Sequence, residues 1–190
     1  MVRLLRAFLG VGLLVATVTA AASAPGGAPR DPYEHFFHKS FGDLSEDLAD
    51  ARANGKKAVF VFFEMDDCRW CKKMKETILN QADVQDWYNE HFLTLAVDVE
   101  GDVEISDLAG TPMTQQQFAI NATARNERDL SRPEYKKPTP FFVFFDMNGE
   151  RIYYVPGIVK GKEEFMQLGR FIVEGAYKTG SFTDYKKAAR

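Results

Sequence analysis

Two cysteines occur in the 190-residue sequence, Cys68 and Cys71, in the run Asp67-Cys68-Arg69-Trp70-Cys71-Lys72. A bridge between residues this close restrains the unfolded chain very little, so a chemical use explains the pair better than a structural one. At the start of a helix, the first sulfur sits among unpaired backbone N–H groups and the positive end of the dipole. Both favour a thiolate, the nucleophilic form. The second sulfur, about one helical turn further in, can attack a mixed disulfide formed on the first and release the product. Nearby charges disagree: Arg69, Lys72 and Lys73 stabilise a thiolate at Cys68, whereas Asp66 and Asp67 oppose it. The redox potential therefore stays open within the range of about −270 to about −120 mV spanned by such pairs.

Metal chemistry fits less well. A structural zinc site wants four ligands and there is no second cysteine pair. Haem attachment through C-x-x-C-H fails because Lys72 follows Cys71. His35, His38 and His91 fall outside the candidate site; the first two read as an exposed pair and His91 as a helix end. No cofactor and no metal are expected. Trp70, between the cysteines, is expected to be exposed and to contact substrate. Trp87 and the phenylalanines at 141, 142, 144 and 145 read as packing, and Lys72, Lys73 and Lys75 as a solvated helix face close to the thiolate.

The elements must place the pair correctly. Leu44, Leu48 and Ala51 recur at helical spacing, with Ser45 and Asp47 in the first turn and Asn54-Gly55 as the stop. Ala58 to Phe63 is an unbroken apolar, β-branched and aromatic run, as in a strand buried on both faces. The cysteines follow at once, on a helix that puts Cys71, Met74 and Ile78 on one side. Asp83 is read as the cap of a further helix bearing Val84 and Trp87, and Phe92 to Val99 as the next strand. Thr114 with Gln117 resembles a capping box opening a short helix through Phe118. Arg125 to Lys137 reads as a charged loop, with a partner site as the alternative. Phe141 to Phe145 and Ile152 to Val155 form a hairpin about Met147-Asn148-Gly149-Glu150, and Phe165, Leu168, Ile172 and Ala176 mark a final helix. The order predicts an α/β fold: a mixed sheet of four to five strands with helices on both faces.

Arg3 and Arg6, the apolar run Ala7 to Ala21 and the small residues through Ala24 read as an export signal over 1–24, cleaved after Ala22 or Ala24, or retained as an anchor. Residues 25–41 read as an N-terminal tail, 42–180 as the folded domain and 181–190 as a C-terminal tail. A hydrophobic share of 45% excludes disorder throughout, and a net charge of −3 argues against a nucleic-acid partner. A monomer is expected.

The run Phe62-Phe63-Glu64-Met65-Asp66-Asp67-Cys68-Arg69-Trp70-Cys71-Lys72-Lys73-Met74 resembles the thioredoxin superfamily, in particular exported thioredoxins of the SoxW type, and is similar to the C-terminal domain of DsbD. The likeness extends from about Leu44 to Lys178. Two further landmarks match: Pro138-Thr139-Pro140 before the strand at 141, and Pro156-Gly157 after the hairpin. The resemblance implies a cis proline at Pro140 beside the cysteines, substrate contact by the Thr139 backbone and a groove lined by Gly157. It also implies a redox-active disulfide between Cys68 and Cys71. Thioredoxins carry an aspartate six residues before the first cysteine as proton acceptor for the second. Here that residue is Phe62, and Glu64 is either its replacement or a surface-pointing strand end. The resemblance implies periplasmic disulfide exchange with exported partner proteins, in the reducing direction, fed by a membrane electron donor of DsbD type. Within the same chemistry the alternative is an oxidant or isomerase of exported proteins; of a different class, it is an adaptor or copper-handling protein of the same fold.

Overall fold

The computed structural model describes residues 27–188, so the expected export signal and its cleavage points lie outside the described residues. In chain order, α1 (Pro32–His35) and α2 (Leu44–Ala53) precede β1 (Ala58–Glu64). Next, α3 (Arg69–Met74) widens into a π turn over Lys75–Leu79, and α4 (Ala82–His91) leads into β2 (Phe92–Asp98). A small ribbon, β3 (Glu104–Ser106) and β4 (Pro112–Thr114), comes before α5 (Gln115–Thr123) and α6 (Glu127–Leu130). The chain then makes β5 (Phe141–Phe145), β6 (Arg151–Pro156), α7 (Lys162–Val173) and α8 (Phe182–Ala188).

Four strands form one mixed sheet in the order β2-β1-β5-β6, with β1 parallel to β2 and antiparallel to β5. The central place of β1 explains its unbroken apolar run, because successive side chains enter opposite cores. Phe60 and Phe62 pack with Met74, Tyr88, Phe142 and Phe165, from α3, α4, β5 and α7. Val59, Val61 and Phe63 pack with Leu44, Leu48, Phe118 and Phe141, from α2, α5 and β5. Helices thus cover both faces.

Several local expectations need correction. The segment read as an N-terminal tail is built into the structure: Phe36 and Phe37 are buried, and Phe36 lies 5.8 Å from the Phe60 ring. Polar groups fasten it further, with Arg30 bonding the Gln85 side chain at 2.7 Å. Aromatic residues without a period gave no sign of this, since their partners lie on β1 and α4. At the other end, α8 sets Phe182 and Tyr185 each 5.4 Å from Phe171. Asp83 is no cap: it lies inside the first turn of α4, where it pairs with Lys162 at 2.5 Å. Thr114 does cap α5, accepting the Gln117 N–H at 3.1 Å, but the Gln117 side chain turns to Asn121 and the helix continues to Thr123. Ala176 falls in a short 3-10 turn beyond α7.

Candidate active site

The site is assembled where β1 ends and α3 begins. Cys68 is the cap of α3, in extended backbone conformation, and its Sγ accepts the Cys71 N–H at 3.0 Å. The two sulfurs are bonded, with Cα atoms 5.2 Å apart. Their surroundings differ: Cys68 retains 8% exposure at the rim, while Cys71 is 1% exposed and packed in the core. An incoming sulfur therefore meets Cys68 first. Trp70 stands out at 42% exposure, with the Arg69 guanidinium 5.3 Å and the Lys73 ammonium 5.2 Å from its ring centroid. Those cations are shared with the indole face, a modest attraction at an exposed site.

Strand register brings the other sequence candidates to the same end of the sheet. Glu64 pairs with Asp98 across β1 and β2. Phe63 pairs with Phe141, which puts Pro140 one step on, level with Glu64. Phe141 in turn pairs with Pro156, and the Gly157 N–H donates to the Pro140 carbonyl at 3.0 Å. The Thr139–Pro140 peptide bond is cis, and Pro140 is buried. Gly157 has φ of 80°, a left-handed conformation that a side chain would strain, and no atom lies within 4 Å of where its Cβ would be. Asp98, Glu64, Pro140 and Gly157 thus form a row across the sheet end from which the cysteine turn projects.

Glu64 does not point outward as a bare strand end. It is 8% exposed and held at both oxygens: the Tyr33 hydroxyl donates to Oε1 at 2.6 Å and the Lys75 ammonium to Oε2 at 2.6 Å. Lys75 also donates to the Tyr33 hydroxyl at 2.6 Å, closing a triangle. Strand parity puts Glu64 on the same face as Phe60 and Phe62, the face that carries the cysteines. Phe62, at the family's aspartate position, is stacked between Phe37 and Phe142, each 5.7 Å away. A charge there would have no partner, whereas two residues along the same face the carboxylate finds two. A cleft of about 290 Å³ is lined by Tyr33, Glu64, Cys68, Cys71, Lys75 and Gln115, among others.

Burial, reinforced by the bond to Glu64, raises the Tyr33 phenol above its ordinary pKa. At Lys75 burial acts downward, but the bonds to Glu64 and Tyr33 outweigh it and hold the ammonium above its usual value. Neither role shows in the sequence: Lys75 is one of a run of lysines, and Tyr33 lies in a stretch that reads as a tail. His38 is turned instead to Asp47, at 3.1 Å. Among the described residues no group of three or more His, Cys, Asp or Glu side chains is placed to hold a metal ion, and no helix is long and apolar enough to cross a membrane. The segment from Arg125 to Lys137 contains α6, and its Tyr135 stacks on Phe141 at 5.3 Å.

Residues 44–172 match the thioredoxin-like domain family. The chain belongs to that family. No curated protein matches the sequence. Among solved structures, a thioredoxin-fold protein from Helicobacter pylori is 22% identical, with a TM-score of 0.53 over 70% of this chain and 80% of its own. DsbH oxidoreductase is 17% identical, with a TM-score of 0.49 over 86% of this chain and 95% of its own. The reduced C-terminal domain of DsbD from Neisseria meningitidis is 20% identical, with a TM-score of 0.42 over 69% and 98% respectively. At 22% identity the first likeness speaks for the thioredoxin fold alone, and the other two carry no argument. The matched span of the thioredoxin-like chain takes in the cysteine turn, Pro140 and Gly157 but starts after Tyr33 and Phe36.

Proposed function

We propose that the chain is a thiol–disulfide oxidoreductase that reduces disulfides in exported partner proteins. The observation that carries this is the unequal pair of sulfurs: Cys68 at the rim with a backbone N–H aimed at its sulfur, Cys71 buried behind it. In the reduced state the Cys68 thiolate attacks one sulfur of a partner disulfide, forming a mixed disulfide and expelling the partner's other sulfur as thiolate. Cys71 then loses its proton and attacks Cys68 Sγ, forming the Cys68–Cys71 disulfide and releasing the second partner thiolate. Two electrons pass to the partner, which gains two thiols after protonation. Glu64, buried in the same cleft, is the proposed acceptor of the Cys71 proton. Trp70 and the backbone around Thr139, Pro140 and Gly157 are the proposed substrate contacts.

A dithiol donor must return two electrons to the enzyme. The resemblance of the run from Phe62 to Met74 to SoxW-type proteins and to DsbD is what supports a membrane donor of DsbD type and a periplasmic setting; the enzyme is proposed to act as a monomer. Insulin reduction with dithiothreitol tests the activity. The wild type should accelerate precipitation, and Cys68→Ser should fall to the uncatalysed rate. An adaptor or copper-holding protein would give no acceleration, and a Cys68→Ser variant as fast as wild type would overturn the mechanism.

A further inference from the structure

Tyr33 lies 31 residues ahead of Glu64, on the short helix α1, yet it supplies one of the two hydrogen bonds that hold the carboxylate. Resting on the oxidoreductase reading, we propose that Tyr33 and Lys75 are positioning residues that fix the Glu64 carboxylate in the wall of the redox cleft. The segment ahead of the sheet is then part of the redox site.

The geometry is closed on itself. Each carboxylate oxygen receives one donor, and the Tyr33 hydroxyl both donates to Glu64 and accepts from Lys75, so no member can turn without breaking two contacts. The segment is anchored independently of these bonds. Asp31 caps α1 by accepting the Tyr33 and Glu34 N–H groups, Phe37 stacks on Phe62, and Phe36 is buried against Phe60. The Lys75 ammonium also lies 4.7 Å from the Tyr33 ring centroid. A carboxylate this buried is costly unless its charge is paired and its lone pairs are satisfied. The triangle meets both needs on the wall the cysteines share. Tyr33 itself remains 46% exposed, so it links the buried carboxylate to water. Held there, Glu64 takes the Cys71 proton as that sulfur attacks Cys68 Sγ, and returns it to solvent at the open side. The other charged groups facing the cleft are Asp66, Lys72 and Asp98. None of the three bonds Glu64 through its side chain.

A double-mutant cycle on insulin reduction, followed against pH, tests the proposal. Tyr33→Phe keeps the ring and its packing and removes only the hydroxyl. It should slow turnover by about three- to tenfold below neutral pH and move the acidic limb of the profile up by about one pH unit, the scale of one hydrogen bond to a charged group. Glu64→Gln should slow turnover at least as much, and the double variant should be no slower than Glu64→Gln alone, because Tyr33 then has nothing to position. Lys75→Met also removes the charge partner, so it should shift the acidic limb in the same direction and at least as far, and it carries the same cycle should Tyr33→Phe fold poorly. Losses that multiply, with the acidic limb unmoved, would show a purely structural role and overturn the inference alone. A wild type no faster than Cys68→Ser would overturn the oxidoreductase reading as well.

Discussion

Cys68 and Cys71 are three residues apart and chemically unequal, because one caps a helix at the rim of the cleft and the other lies a turn inside it. In the reduced protein, iodoacetamide near neutral pH should alkylate Cys68 about tenfold faster than Cys71 or more, since only the capping sulfur combines access with N–H donors. Peptide mass spectrometry reads the ratio, and comparable rates would contradict the assignment of nucleophile. This inequality was legible from spacing: a C-x-x-C after a buried strand has few other uses. The partners of Glu64 were not legible. Tyr33 sits in a stretch without period and meets Glu64 only after α1 packs on the sheet, and Lys75 looked like any lysine on a solvated helix.

Among the elements, α1 and the residues after it matter most for the site. Phe36 is 1% exposed and touches rings from β1, α4 and α7. Phe36→Ala should therefore cost about 3–5 kcal/mol, the usual penalty for emptying a core aromatic site; urea unfolding measures it. A loss within about 0.5 kcal/mol, the range of ordinary surface changes, would mean the segment is only draped on the surface. At α2, Asp43 accepts the Ser45 and Glu46 N–H groups, so Asp43→Ala should lower the urea midpoint. The long strands were readable because β1 and β5 are buried on both faces and show it as unbroken apolar runs. The β3–β4 ribbon was not: three-residue strands with mixed burial leave no period to detect. The π turn after α3 likewise has no sequence mark, yet it carries the lysine that reaches Glu64.

Across the whole molecule, paired carboxylates set the acid limit of stability. The hydrogen bond from Lys162, working against burial, holds Asp83 below its ordinary pKa, and the Ser45 side chain with the Glu46 N–H does the same for Asp43. A lowered folded pKa gives stability that is present above the unfolded value, about 4, and is lost as pH falls through the folded one. Denaturant midpoints should therefore hold near neutrality and fall below about pH 4. Asp83→Asn should flatten that fall; an unchanged slope would remove the pair from the account. At the alkaline end the sign reverses, since Lys75 and Tyr33 are raised, and what they contribute disappears as pH climbs through their folded values. The fold positions the pair, but many chemistries share such folds, so the activity must be decided at the sulfurs.

Covalent trapping decides it most directly. Reduced Cys71→Ser, incubated with a disulfide-containing protein such as insulin, should accumulate a mixed disulfide through Cys68 that dithiothreitol releases, while Cys68→Ser under the same conditions should accumulate none. Equal trapping by both variants, or none by either, would contradict an exchange reaction led by Cys68.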